Sequence, residues 1–154
     1  MNIEISNASL QSVAEYLPKL KGLTGRENRA RQKLLKKVTE KFQEFYSDLQ
    51  EIKSEHPDDQ AKQDEEFSEL LKEKATLDMT EYERYMPIML DTLLDYSHGI
   101  STESQPGKPS DAVIHDYLID VLEEAIDEDE EVDHSNNDLQ INNSVEDAKF
   151  QEVE

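Results

Sequence analysis

The groups in this chain that could do chemistry are four histidines, a large excess of carboxylates and one dense run of lysines and arginines. Cysteine is absent, which removes thiolate nucleophiles, thiolate metal sites and disulfides. His56, His98, His115 and His134 are scattered and read as ordinary surface or helix histidines. Asp127, Asp129 and Glu131 alternate as in an EF-hand loop, but no glycine stands at the sixth position where that loop must turn, so weak divalent adsorption is all this segment promises. The serines sit in caps, loops and polar helix faces, without the glycines of a nucleophile elbow. P-loop and dinucleotide-binding glycine patterns are missing too. Carboxylate pairs are so frequent that none stands out as tuned for proton transfer. Tyr82, Tyr85, Met86 and Met89 read as core rather than as a cofactor box. The expectation is a protein that is not an enzyme, with no cofactor and no metal.

The uneven spread of charge is more informative. Residues 19–41 hold nine lysines and arginines against Glu27 and Glu40, a local charge of +7 in a chain whose net charge is -21. Residues 111–154 hold sixteen acids against Lys149, a local charge of -15. A basic arm and an acidic end in one small chain point to an interaction protein. Arg26, Arg29, Lys33, Lys36 and Lys37 fall near one helix face and form a candidate basic contact face. No aromatic residues are interleaved among them, so an acidic protein surface suits this face better than nucleic acid does. The overall charge also opposes general affinity for DNA, RNA or anionic lipid. The acidic end reads first as a solubilising tail; it could also imitate the charge pattern of DNA in a basic groove, or fold back on the basic arm.

These groups need elements to position them. Apolar residues make up 35% of the chain, below the usual roughly 45–50%, so the core is small or covers only part of the length. Residues 2–5 alternate polar and apolar, as a strand does. Asn7 offers an N-cap to a helix carrying Leu10, Val13, Ala14 and Leu17, which Pro18 ends. Gly22 and Gly25 lie in a connector. Leu35, Val38, Phe42, Phe45, Leu49 and Ile52 then follow at spacings of three and four, an a/d seam on a helix over 26–54. Such a helix is roughly 40 Å long, and a partner helix or chain is expected to cover its seam. After the break at His56-Pro57, Asp58 or Asp59 caps a second helix to about Lys72, folding back as a helical hairpin. Residues 75–79 alternate again and can pair with 2–5. Thr80 and Glu83 have capping-box spacing ahead of a helix over 80–96, in which Pro87 either kinks the helix or marks its start. Residues 97–109 form a polar loop. Ser110 caps a helix over 110–126 whose broad buried face is Val113, Ile114, Tyr117, Leu118, Val121, Leu122, Ala125 and Ile126. From Asp127 onward the composition is too polar to offset ordering entropy, and 127–154 is expected to be disordered.

The order of elements resembles a small family of tailed phages and prophages of Gram-positive hosts, catalogued as domain of unknown function 1617. Four places carry the resemblance: Asn2-Ile3-Glu4-Ile5-Ser6-Asn7 with Leu10; the basic stretch from Gly25-Arg26 through Lys33-Leu34 to Lys41-Phe42; Leu77-Asp78-Met79-Thr80-Glu81-Tyr82-Glu83; and the run from Asp111 to Ala125. Together they span about residues 2–126. The resemblance implies a phage-encoded accessory protein and transfers no activity and no site residues.

The sequence therefore predicts an α+β, mostly helical domain over 1–126, with a long helix in a helical hairpin, further amphipathic helices, a small two-stranded sheet and an acidic tail over 127–154. The expected function is protein–protein contact in phage assembly or in the virion, through the 35–52 seam and with oligomerisation through it as one form. Polar replacement of Phe42 and Leu49 should then abolish association. The alternative is an acidic inhibitor of a host nucleic-acid-binding defence enzyme. No apolar run approaches the roughly 18 residues that span a bilayer, and the first ten residues lack the features of a signal peptide. The expected setting is the cytoplasm of the infected or lysogenic host, or the virion, with no membrane partner.

Overall fold

A computed structural model describes residues 1–131 of the chain. Strand β1 (Asn2–Ser6) pairs antiparallel with β2 (Lys74–Asp78), in the register Ile3 opposite Leu77 and Ile5 opposite Ala75. The alternation has its usual cause: Ile3, Ile5 and Leu77 face inward and are fully buried, while Glu4 and Thr76 face solvent. Five α-helices accompany the sheet: α1 (Leu10–Tyr16), α2 (Arg26–Glu55), α3 (Gln60–Lys72), α4 (Met86–Leu94) and α5, which runs from residue 111 to the last described residue, 131. The mostly helical α+β architecture expected from the sequence is the one observed.

Helix α2 is the spine. Its N-cap is Gly25, at φ 57° and ψ -123°, a conformation that a Cβ would strain. From there the helix runs unbroken to Glu55, free of internal glycine and proline. Helices α1, α3 and α4, strand β2 and the turn over 80–85 all pack on it. Ala30, Leu34 and Val38 are completely buried one turn apart, and Phe45 nearly so. Fully burying a leucine such as Leu34 contributes about 1.5–3 kcal/mol.

The caps sort by what else competes for them. Asp59 caps α3 by accepting from the Lys62 amide at 3.1 Å, and Ser110 caps α5 by accepting from the Val113 amide at 3.3 Å. Pro87 takes the first turn of α4, where its missing N–H costs nothing. Two expected caps are corrected. Asn7 opens a 3-10 turn (Asn7–Ser9) instead of capping a helix, because its side chain donates to the Leu70 carbonyl at 2.9 Å and its amide to the Glu73 carbonyl at 2.9 Å. It thereby ties the end of α3 to the start of α1. The Thr80–Glu83 capping box is also not what begins the next helix. Thr80 donates both its hydroxyl (2.5 Å) and its amide (3.1 Å) to Asp78, and Thr80–Tyr85 winds as a 3-10 turn before α4 begins.

Two further boundaries differ. Residues 127–131, placed in the tail on composition, continue α5, where glutamate is a good helix former and Asp129 lies 3.7 Å from the Met1 ammonium. The rest of the expected tail, 132–154, lies outside the described residues. The buried face of α5 is narrower than eight residues: Ile114, Leu118, Val121, Leu122 and Ala125 are buried, whereas Val113 is 55% exposed on the rim.

Candidate functional site

The expected contact seam is largely consumed by the protein's own fold. Val38 is fully buried and Phe45 nearly so; Leu35, Phe42, Leu49 and Ile52 are half-buried, and the first three of these pack on the core. Helices of the same chain, α1, α3 and α4, pack on α2. The hairpin of α2 with α3 is the one expected from the break at His56-Pro57, and α1 and α4 add to the cover.

The basic face, in contrast, remains at the surface and acquires aromatic rings. Arg26, Arg29 and Lys36 are exposed, and Lys33 and Lys37 are half-buried. The 3-10 turn over 80–85 lays Tyr82 against them, with the Lys33, Lys36 and Lys37 ammonium nitrogens 5.0, 5.9 and 5.6 Å from its ring centroid. Those distances are within cation–π range. Lys36 also donates to the Tyr82 hydroxyl at 3.4 Å. One turn away the Arg84 guanidinium lies 5.0 Å from the Tyr85 ring and donates to its hydroxyl at 3.3 Å. That hydrogen bond, helped by the charge of Arg84 and by Arg29, holds the Tyr85 phenol below its ordinary range. Two tyrosines thus stand among cations drawn from α2 and from the turn.

Lys37 is balanced by Glu81 at 2.8 Å. The hydrogen bond between them is the main cause that raises Lys37 and lowers Glu81. Lys33 and Lys36 carry like charges a turn apart beside the Tyr82 ring, with Lys36 also within electrostatic reach of Glu81. Tyr82, Arg84 and Tyr85 join this face only through the fold. Tyr82 and Tyr85 read as core because they share a helical period with Met86 and Met89. Only the two methionines are fully buried; the tyrosines are half-buried. The 3-10 winding rotates the turn relative to an α-helical extrapolation, which carries the rings out of the core.

The acids of α5 form the opposite kind of surface. Asp116, Asp120, Glu123, Glu124, Asp127, Glu128, Glu130 and Glu131 are all exposed, largely along the helix side away from Leu118 and Leu122.

The buried polar groups lie elsewhere and are spent on structure. The Tyr16 hydroxyl donates to Nδ1 of His115 at 2.7 Å, and Nε2 of His115 donates to the Leu93 carbonyl at 2.9 Å, since a carbonyl can only accept. His115 is 6% exposed, so it is a core histidine rather than a surface one. Burial, then the nearby Tyr96, Asp111 and Asp116, push the Tyr16 phenol up to about 12. A phenol there holds its proton at neutral pH and is no general base. Beside this pair is a cavity of about 490 Å³ lined by Tyr16, Leu20, Tyr96 and Ile100, bounded by the Lys19–Asp111 ion pair at 3.1 Å. It presents no activated nucleophile. Every buried side-chain polar atom among the described residues has a partner. No helix among them is long and apolar enough to cross a membrane.

Comparison of the chain with protein-family models, with curated proteins and with solved structures found no match.

Proposed function

We propose that this chain is a non-enzymatic, phage-encoded accessory protein that binds an acidic surface of another protein, in assembly or in the virion, within the infected or lysogenic host. The observation that carries the binding reading is the Tyr82 ring with three lysine ammoniums within 6 Å of its centroid, on the exposed side of α2. The phage setting rests on the four sequence stretches that resemble the tailed-phage family. The non-enzymatic reading is supported by the use of Tyr16 and His115 as each other's structural partners.

The reading also gives the net charge a role. A chain at -21 repels polyanions at long range, so an acidic partner must engage the cationic patch at short range, where cation–π and hydrogen-bond contacts act. Tyrosine and arginine are the residue types that commonly anchor protein interfaces. The test is capture of partners from infected cells by the full chain and by a Lys33→Glu, Lys36→Glu double variant. The expected result is a specific phage or host protein retained by the natural chain and lost with the variant, at unchanged circular dichroism. Equal capture by both overturns the reading.

A second reading has its own observation, the exposed acids of α5. Their spacing of three and four residues sets a row of carboxylates along one helix side, a repeating line of negative charge like that of a nucleic-acid strand. An inhibitor of a nucleic-acid-binding enzyme would use this face. Its signature is capture of such an enzyme that fails when Asp120, Glu124 and Asp127 are replaced by the amides and survives the lysine variant.

A further inference from the structure

We propose that Glu55, His56 and Glu66 form a zinc(II) site that staples the end of α2 to α3. The three donor atoms lie within 4.8 Å of one another, and Nε2 of His56 is 3.2 Å from a Glu66 carboxylate oxygen. Tetrahedral zinc at Zn–N and Zn–O lengths near 2.0–2.2 Å sets its donors about 3.3 Å apart. The His56–Glu66 pair is already at that separation. Glu55 is exposed, so its carboxylate can close the remaining gap by rotation of its side chain. A water would complete the fourth position.

Three features outside the donor set favour this reading. The His56 carbonyl accepts from the Gln63 side chain at 2.5 Å and from the Asp59 amide at 3.3 Å, so the backbone that carries the imidazole is held in place. Gln63 is one of the few buried polar residues and stands one turn before Glu66 on α3, which fixes the second ligand relative to the first. The donors also lie at the C-terminus of a thirty-residue helix, where the peptide dipoles favour a cation. An imidazole nitrogen with two carboxylates selects zinc over magnesium or calcium, which prefer all-oxygen sets.

The site has a structural consequence. Helix α3 buries only Gln63 completely enough to count as core; Phe67 and Leu70 are half-buried and Leu71 is 41% exposed. It packs on α2 with little apolar area of its own. A metal bridging its second turn to α2 raises the stability of that cover, and it does so roughly 30 Å along α2 from the lysine–tyrosine face. The inference is therefore independent of the binding reading above.

The test is isothermal titration of the metal-free full chain with zinc chloride, paired with thermal unfolding, for the natural protein, His56→Ala and Glu66→Gln. The expected result is one tight equivalent per chain, a rise in the melting temperature on zinc addition, and no comparable heat with magnesium. Removing a direct ligand should weaken binding by at least the roughly 10–100-fold that outer-shell partners command. Both variants alter exposed or half-buried side chains, and circular dichroism verifies the fold. Zinc uptake that is unchanged by His56→Ala means adsorption to the acidic surface and overturns the proposal. So does the absence of a stoichiometric event in the natural chain.

Discussion

Alkaline titration of Tyr16 tests whether the buried Tyr16–His115 pair is structural. Its phenol is moved from an ordinary 10.0 to about 12, chiefly by burial. The folded protein therefore holds this proton more tightly than the unfolded chain does. The stability it contributes is complete below the unfolded value of 10.0 and is lost as the pH rises through about 12. A shift of that size makes the loss on the order of 2–3 kcal/mol. Urea unfolding across that pH range, compared with Tyr16→Phe, isolates it, because lysines and the other five tyrosines titrate in both proteins. The variant should be about 1–3 kcal/mol less stable at neutral pH, since Nδ1 of His115 loses its donor. The two stability curves should then converge toward pH 12. Ultraviolet titration of tyrosinate gives a second readout, with one of the six phenols in the natural chain ionising late. Parallel stability curves with no late phenol would refute the assignment, and a Tyr16 that ionises near neutral pH would reopen the case for acid–base chemistry at this pair.

Four other outcomes are expected. Leu34→Ala, at a fully buried site beneath α1 and α4, should cost about 2–5 kcal/mol by denaturant unfolding. Gly25→Ala should cost about 1–3 kcal/mol, because alanine is strained at that N-cap, and hydrogen exchange should show fraying confined to the start of α2. Ser110→Ala should cost about 0.5–2 kcal/mol through the lost cap of α5, measured in the same denaturant assay. Glu81→Gln should tighten binding of an acidic partner by freeing the Lys37 charge. In the natural chain, whose Glu81 carboxyl is lowered, the Lys37–Glu81 pair persists above the carboxylate range and is lost only as pH falls through that lowered value; affinity measured against pH for both proteins checks this.

The elements themselves were legible in the sequence because each is written in a short-range pattern. Period-two alternation marked 2–5 and 75–79 and led to β1 and β2. The absence of glycine and proline over 26–54 marked α2 to within one residue of its observed end. Asp59, Pro18 and Ser110 acted where local backbone chemistry places them, as caps and a stop. Asn7 and Thr80 did not, because each side chain found a partner that competes with the cap: the Leu70 carbonyl for Asn7 and the Asp78 carboxylate for Thr80. The site was harder to read. Its cations were visible as a run in the sequence, but its Tyr82 ring lies 46 residues from Lys36 and reaches it only because β2 and the following 3-10 turn bring the chain back along α2. His115 is buried by contacts with Tyr16 and Leu93, residues distant from it in sequence. Periodicity and capping report interactions within a few residues, so the sequence by itself determined which segments are helix or strand and which faces are apolar or charged. Which faces meet depends on the path of the chain between them, and that tertiary path laid helices of the same chain on α2 and set Tyr82 among a run of lysines.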